Sequence, residues 1–127
     1  MATGTGVTGL TVTFPDEMLI QVNHASAIDE QGKVRALARL HLNLEGNPFT
    51  TSKIFRMETD FRRSVILVGA QTDAGAVRVE IRAHVPMDGF RIDIYDERKQ
   101  PGAVAIRFEE DAASVAQASG KGMIFFH

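Results

Sequence analysis

The sequence predicts an all-β domain: a mainly antiparallel meander of seven to nine short strands, closed into a barrel or a sandwich, with one short C-terminal helix. Three observations carry this expectation. Apolar and polar residues alternate with a period of two over residues 34–44, 77–85, 90–94 and 104–108, and only a strand turns that pattern into one apolar and one polar face. Turn-forming clusters at Gly46-Asn47-Pro48, Thr72-Asp73-Ala74-Gly75 and Pro86-Met87-Asp88-Gly89 separate these segments at near-regular spacing. The connections in the second half are too short for parallel crossovers, which need about a dozen residues or more.

Residues 1–8 are small, rich in glycine and threonine, and uncharged. They read as a flexible N-terminal tail, and residues 9–127 as a single domain. Leu10, Val12 and Phe14 alternate with threonines in a first strand, which Pro15 breaks. Leu19, Ile20 and Val22 make a second short run, followed by a polar connection over residues 23–32. In the clearest strand, Val34, Ala36, Ala38, Leu40, Leu42 and Leu44 hold one parity, and Arg35, Arg39, His41, Asn43 and Glu45 hold the other. Alanine and leucine favour helix, but a helix would scatter both sets around its circumference, so the pattern outweighs the propensity.

Residues 54–58 form a short strand. Residues 61–68 end in Val65-Ile66-Leu67-Val68, apolar on both faces, which asks for cover on both sides. Residues 96–102 read as a charged loop with Asp96-Glu97-Arg98-Lys99 at a solvated tip. Asp111 is placed to cap a helix over residues 112–118, with Gly120 beyond its end, and residues 123–126 form a last apolar strand. Phe14, Phe61, Phe90 and Phe108 occupy strand positions suited to the core, and Phe55 suits core or surface. Phe125 and Phe126 are adjacent, so they point to opposite faces. One of them leaves the core unless the helix or a second subunit covers it.

The 127 residues make one domain's worth of chain, with 44% apolar and 24% charged residues, an ordinary globular balance. The absence of cysteine excludes disulfides, zinc–thiolate sites, iron–sulfur clusters and thiol chemistry. No apolar run reaches the roughly 20 residues of a membrane-spanning helix, and no leader pattern opens the chain; the expectation is a soluble, cytoplasmic protein without membrane contact. A net charge of −2 gives little attraction to nucleic acid. The basic residues are ten arginines and four lysines, which favours planar recognition of carboxylates or phosphates.

A turn at Pro86–Gly89 predicts Val85 opposite Phe90, Ala83 opposite Ile92, and an ion pair between Arg82 and Asp93. A second hairpin pairing Ile94 with Val104 then aligns Ile92 with Ile106 and Phe90 with Phe108. On the other face this register places His84, Arg91 and Arg107 in one row across three strands. Like charges directly opposite repel, so the row invites an anion, an acidic side chain or an acidic partner. Asp60, Asp93, Glu109 and Glu110 are the acids within reach. His84, Arg91, Arg107 and Arg82 are therefore the candidate ligand or partner residues, and Phe125 and Phe126 the candidate interface.

Catalytic patterns are not found. The glycines of GTGVTG near the N-terminus precede no helix and lack a phosphate-binding lysine, and no nucleophile elbow is present. The four histidines never fall at metal-binding spacing, so no metal and no cofactor are expected. The leading expectation is a non-enzymatic β-domain for protein–protein interaction or self-assembly, as a homo-oligomer. The alternative is a barrel that holds a small anion, with His84 as acid or base if it is an enzyme.

Overall fold

In the computed structural model, which describes residues 2–4, 8–14, 17–28, 30–84, 86, 89–110, 116–119 and 123–126, the alternating segments are strands of two antiparallel sheets. The strands are β1 (Ala2–Gly4), β2 (Thr8–Thr13), β3 (Met18–Ile28), β4 (Val34–Leu44), β5 (Ile54–Asp60), β6 (Val65–Thr72), β7 (Gly75–His84), β8 (Gly89–Asp96), β9 (Val104–Glu110), β10 (Ala116–Ser119) and β11 (Met123–Phe126), with a one-turn helix α1 (Pro48–Thr51) between β4 and β5. The first sheet has the order β1-β2-β3-β4-β9 and the second β10-β11-β8-β7-β6-β5. Each has a four-stranded body, β2-β3-β4-β9 and β8-β7-β6-β5. The sheets are not closed into a barrel; they pack over a common core as a sandwich.

The core is built from the inward parity of both sheets. One row crosses the first sheet as Val12, Ile20, Leu40 and Phe108, and another crosses the second as Ile66, Ile81 and Ile92. All seven belong to or pack against one apolar cluster. Each fully buried side chain of this kind stabilises the fold by about 1.5–3 kcal/mol. At one end Phe14, Phe49 of α1 and Phe55 pack as an aromatic trio with ring centroids 5.2 to 6.3 Å apart, tilted or edge-on, which joins the sheets through α1. Asn47, with a positive φ of 46°, and Gly46, with 80°, turn the chain out of β4. α1 was not legible in the alternation.

Several expectations are corrected. The second half is not a plain meander: β9 pairs with β4 in the other sheet, not with β8. The β7–β8 hairpin is shifted by two residues, with Ala83 opposite Phe90, Arg82 opposite Arg91 and Glu80 opposite Asp93. The shift keeps the faces and improves the apolar match. Val79 meets Ile94, where the expected register would set it against Asp96, and small Ala83 meets large Phe90. Val85, Met87 and Asp88 of the turn lie outside the described residues.

β3 runs on to Ile28 through register irregularities after Val22, so most of the expected polar connection is strand. Phe61 is 84% exposed in the β5–β6 turn and is not a core residue. Part of the N-terminal segment, Ala2–Gly4, pairs with β2. The expected helix at 112–118 falls largely on residues 111–115, outside the described set, and Ala116–Ser119 is strand. The double apolar run Val65–Val68 is covered on both sides: Ile66 and Val68 face the core, while Val65 is buried and Leu67 half-buried on the outer face.

The loop read as a solvated tip is instead the joint between the sheets. Arg98 and Asp96 are only 8% and 11% exposed, and Arg98 donates from Nε to Asp96 Oδ1 at 2.8 Å and from Nη2 to Oδ2 at 2.6 Å. Its Nη1 reaches the Glu45 carbonyl at 2.6 Å, at the end of β4. Glu45 in turn donates its amide to the Ala103 carbonyl and accepts from the Ala103 amide through Oε2, each at 2.9 Å. Glu97 and Lys99 donate to Ala76 and Ala74 of the β6–β7 hairpin. A Cβ at Gly75, whose φ is +134°, would lie 2.6 Å from the Glu97 carbonyl oxygen, so only glycine lets the loop pass here.

The Arg98 guanidinium bonded to it holds the Asp96 carboxyl below its usual value. A depressed carboxylate stabilises the fold above its unfolded pKa, and that stabilisation is lost as pH falls through the lower, folded value. Arg98→Ala should cost about 3 kcal/mol in urea unfolding, because it leaves a buried carboxylate unpaired. Asp96→Asn should flatten the loss of stability below about pH 4 relative to wild type. A wild-type acid slope in Asp96→Asn would contradict the pairing.

Candidate functional site

The residues expected in one cationic row are divided between two faces. His84 ends β7 opposite Gly89 and is exposed. Arg91 stands opposite Arg82 on the outer face of the second sheet, with its Nε 2.9 Å from Asp93 Oδ1. Arg107 is on β9, in the first sheet. The row His84–Arg91–Arg107 therefore does not form, because β8 and β9 are in different sheets. Phe125 and Phe126 are in β11, whose Met123 and Ile124 pair with Arg91 and Phe90 of β8.

The outer face of the second sheet carries three cross-strand rows: Asp60, Val65, Arg82 and Arg91; Glu58, Leu67, Glu80 and Asp93; Arg56, Gly69, Arg78 and Tyr95. An acidic row thus lies between two rows that carry arginines. Glu80 is buried, with Arg78 Nε 3.4 Å away on one side and Arg82 hydrogen-bonded on the other. That bond to Glu80 raises the Arg82 pKa above its ordinary value. The Arg78 guanidinium also stacks 4.4 Å from the Tyr95 ring centroid. Arg82 Nε is buried without a hydrogen-bond partner among the described residues.

The outer face of the first sheet holds a cluster that the local pattern did not reveal. The β4–β9 pairing sets His41 opposite Arg107 and Arg39 opposite Glu109, and Glu17 stands just before β3. His41 Nδ1 is 2.9 Å from Glu17 Oε1, and its Nε2 is 3.3 Å from Glu109 Oε1. Arg107 bridges the same two oxygens at 3.1 and 3.0 Å. Two cation-forming side chains and two carboxylates so close a ring.

Both imidazole nitrogens are buried, and the carboxylates lie at ion-pair distance without aligned hydrogen bonds. Acids stand beside both nitrogens, so the ring presents no free edge to a substrate. The carboxylates also lie at opposite nitrogens, a poor arrangement for a shared ion. Among the described residues no group of three or more histidines and carboxylates is placed to hold a metal. Glu17 and Arg107 are 90 residues apart, and the signal in the sequence was only the complementary charge of Arg39–His41 and Arg107–Glu109.

Hydrogen bonding from Arg107 lowers the Glu109 carboxyl pKa, with the nearby His41 adding in the same direction. In Arg107→Ala, the Glu109 carboxyl should titrate at higher pH than in wild type, read by carboxyl-resolved NMR. An unmoved titration would contradict the bridging geometry.

No protein-family model, no curated protein and no solved structure matches the chain.

Proposed function

We propose that this chain is a non-enzymatic β-sandwich domain that acts by protein–protein contact, in the first place with copies of itself, through the open edges of its sheets. The observation that carries this reading is apolar surface left uncovered at edge strands. Val104 and Ile106 of β9 share the inward parity of buried Leu44 and Leu42, yet they are 43% and 41% exposed. Phe55 of β5 lies opposite buried Ala70 and is 44% exposed, beside Ile54 at 59%. β5 and β9 are terminal strands in their sheets. An edge offers backbone donors and acceptors to an added strand, and uncovered apolar side chains supply the driving force.

The polar faces support binding over reaction. His41 is enclosed by its acids, and Arg78, Arg82, Arg91 and Arg107 are engaged with carboxylates of the same chain.

A second reading, small-anion binding, draws on one observation. Arg82 and Arg91 stand directly opposite each other, and Arg82 keeps an unpartnered buried Nε. An anion at this point would relieve their repulsion.

Light scattering beside a thermal-shift panel separates the two. Self-association predicts a fixed multiple of the 13.9 kDa chain and the same Tm in phosphate, sulfate and chloride at matched ionic strength. A monomer at high micromolar concentration overturns it. A rise in Tm with phosphate that Arg91→Ala abolishes would establish the anion reading in its place.

A further inference from the structure

We infer that the β5 edge pairs with the β5 edge of a second copy, antiparallel, about a two-fold axis at Met57. This rests on the self-association reading above and specifies its surface and register.

Two copies of one strand related by a two-fold axis must pair antiparallel, with the contact the same from both sides. Residues on one face then meet residues on the same face only if the axis passes through a residue pair. That leaves few registers. An axis at Arg56 sets Arg56 against its own copy, and an axis at Glu58 sets Glu58 against its own copy; both oppose like charges. With the axis at Met57, Arg56 meets Glu58 of the copy and Glu58 meets Arg56 of the copy. Met57 meets Met57 on the inward face, next to Val68 of each β6.

The monomer leaves these charges poorly matched within the sheet. The β6 neighbour of Arg56 is Gly69, and that of Glu58 is Leu67. Among the described residues they form an ion pair with each other along the strand, at 3.6 Å, with side chains 73% and 56% exposed. Arg78, Arg82 and Arg91 on the same face have closer carboxylate partners. β5 is a terminal strand of its sheet, so its outward Arg56 and Glu58 are placed to find their complement in the same strand of a second copy. The pairing would join two second sheets into one continuous sheet and bring Phe55 and its aromatic partners to the seam.

The test is a charge swap at exposed positions. Arg56→Glu and Glu58→Arg should each weaken dimerisation by about tenfold or more, since each turns two attractive contacts into repulsive ones. The double swap should restore the wild-type dissociation constant in analytical ultracentrifugation. Retention of the dimer in both single variants, or failure of the double swap to restore it, overturns the proposal. Met57→Cys provides a second reading, because the chain has no other cysteine. It should cross-link to a dimer on mild oxidation, whereas Phe61→Cys should not. A wild-type dimer in which Met57→Cys stays uncross-linked rejects this register while leaving self-association standing; a wild-type monomer rejects both.

Discussion

The fold turns on the place where the chain leaves one sheet for the other, and that place is held by the bidentate pair of Arg98 with Asp96. Residues 97–103 span the gap, and Arg98 ties the end of β8 to the carbonyl of Glu45 at the end of β4. With the loop so directed, β9 lies beside β4, completes the apolar row through Leu40 and Phe108, and leaves the far edge of β8 to β11. A buried ion pair is not a large source of net stability, because desolvation offsets most of its attraction. Its value is geometric: an Asp96 left unpaired beneath the loop would be costly, so the alternative in which β8 and β9 form a simple hairpin loses its competitor's strongest polar contact. A seven-residue connection permits either outcome, and the polar lock selects one.

The same crossing decides how charge is distributed. By carrying Arg107 and Glu109 to the first sheet, it completes the ring with His41 and Glu17. It also removes Arg107 from the neighbourhood of Arg91, where it would have deepened the repulsion between Arg82 and Arg91. On both outer faces the pairing runs along strands at a spacing of two as much as across them, as in Arg91 with Asp93 and Arg107 with Glu109. Most charges of the faces are thereby paired within the chain, and at the edges the apolar side chains of Val104, Ile106, Ile54 and Phe55 are left exposed. That contrast, charges mostly paired within the chain and apolar edges uncovered, underlies the functional reading.

Strand identity was legible where one face is buried and the other solvated, as in β4, β7 and β8, since period two then follows from burial. It was legible even for the Leu-rich and Ala-rich β4. Pairing was less legible. The β7–β8 hairpin kept its faces but moved two residues, because the charge match of Arg82 with Asp93 is weaker than the apolar match of Val79 with Ile94. The β4–β9 partnership was not legible at all, because hydrophobic alternation is the same for any antiparallel neighbour. The candidate site suffered most from this. His41, Glu17 and Glu109 acquire their relation only through a contact spanning most of the chain, while the arginines singled out at positions 82, 91 and 107 are real surface features assigned to the wrong neighbours. Asp96 and Arg98 were misjudged because a mixed-charge loop reads as solvated unless its carbonyl partner, Glu45, is known.

The partnership of β9 with β4 is open to one solution measurement, cross-strand NOEs between α-protons in the labelled protein. The structure predicts contacts joining residues 105–109 to residues 39–43, including the His41–Arg107 and Arg39–Glu109 pairs. Contacts joining Ile106 to Ile92 and Phe108 to Phe90 would place β9 beside β8, and would contradict the crossing, the His41 ring and the edge assignment together.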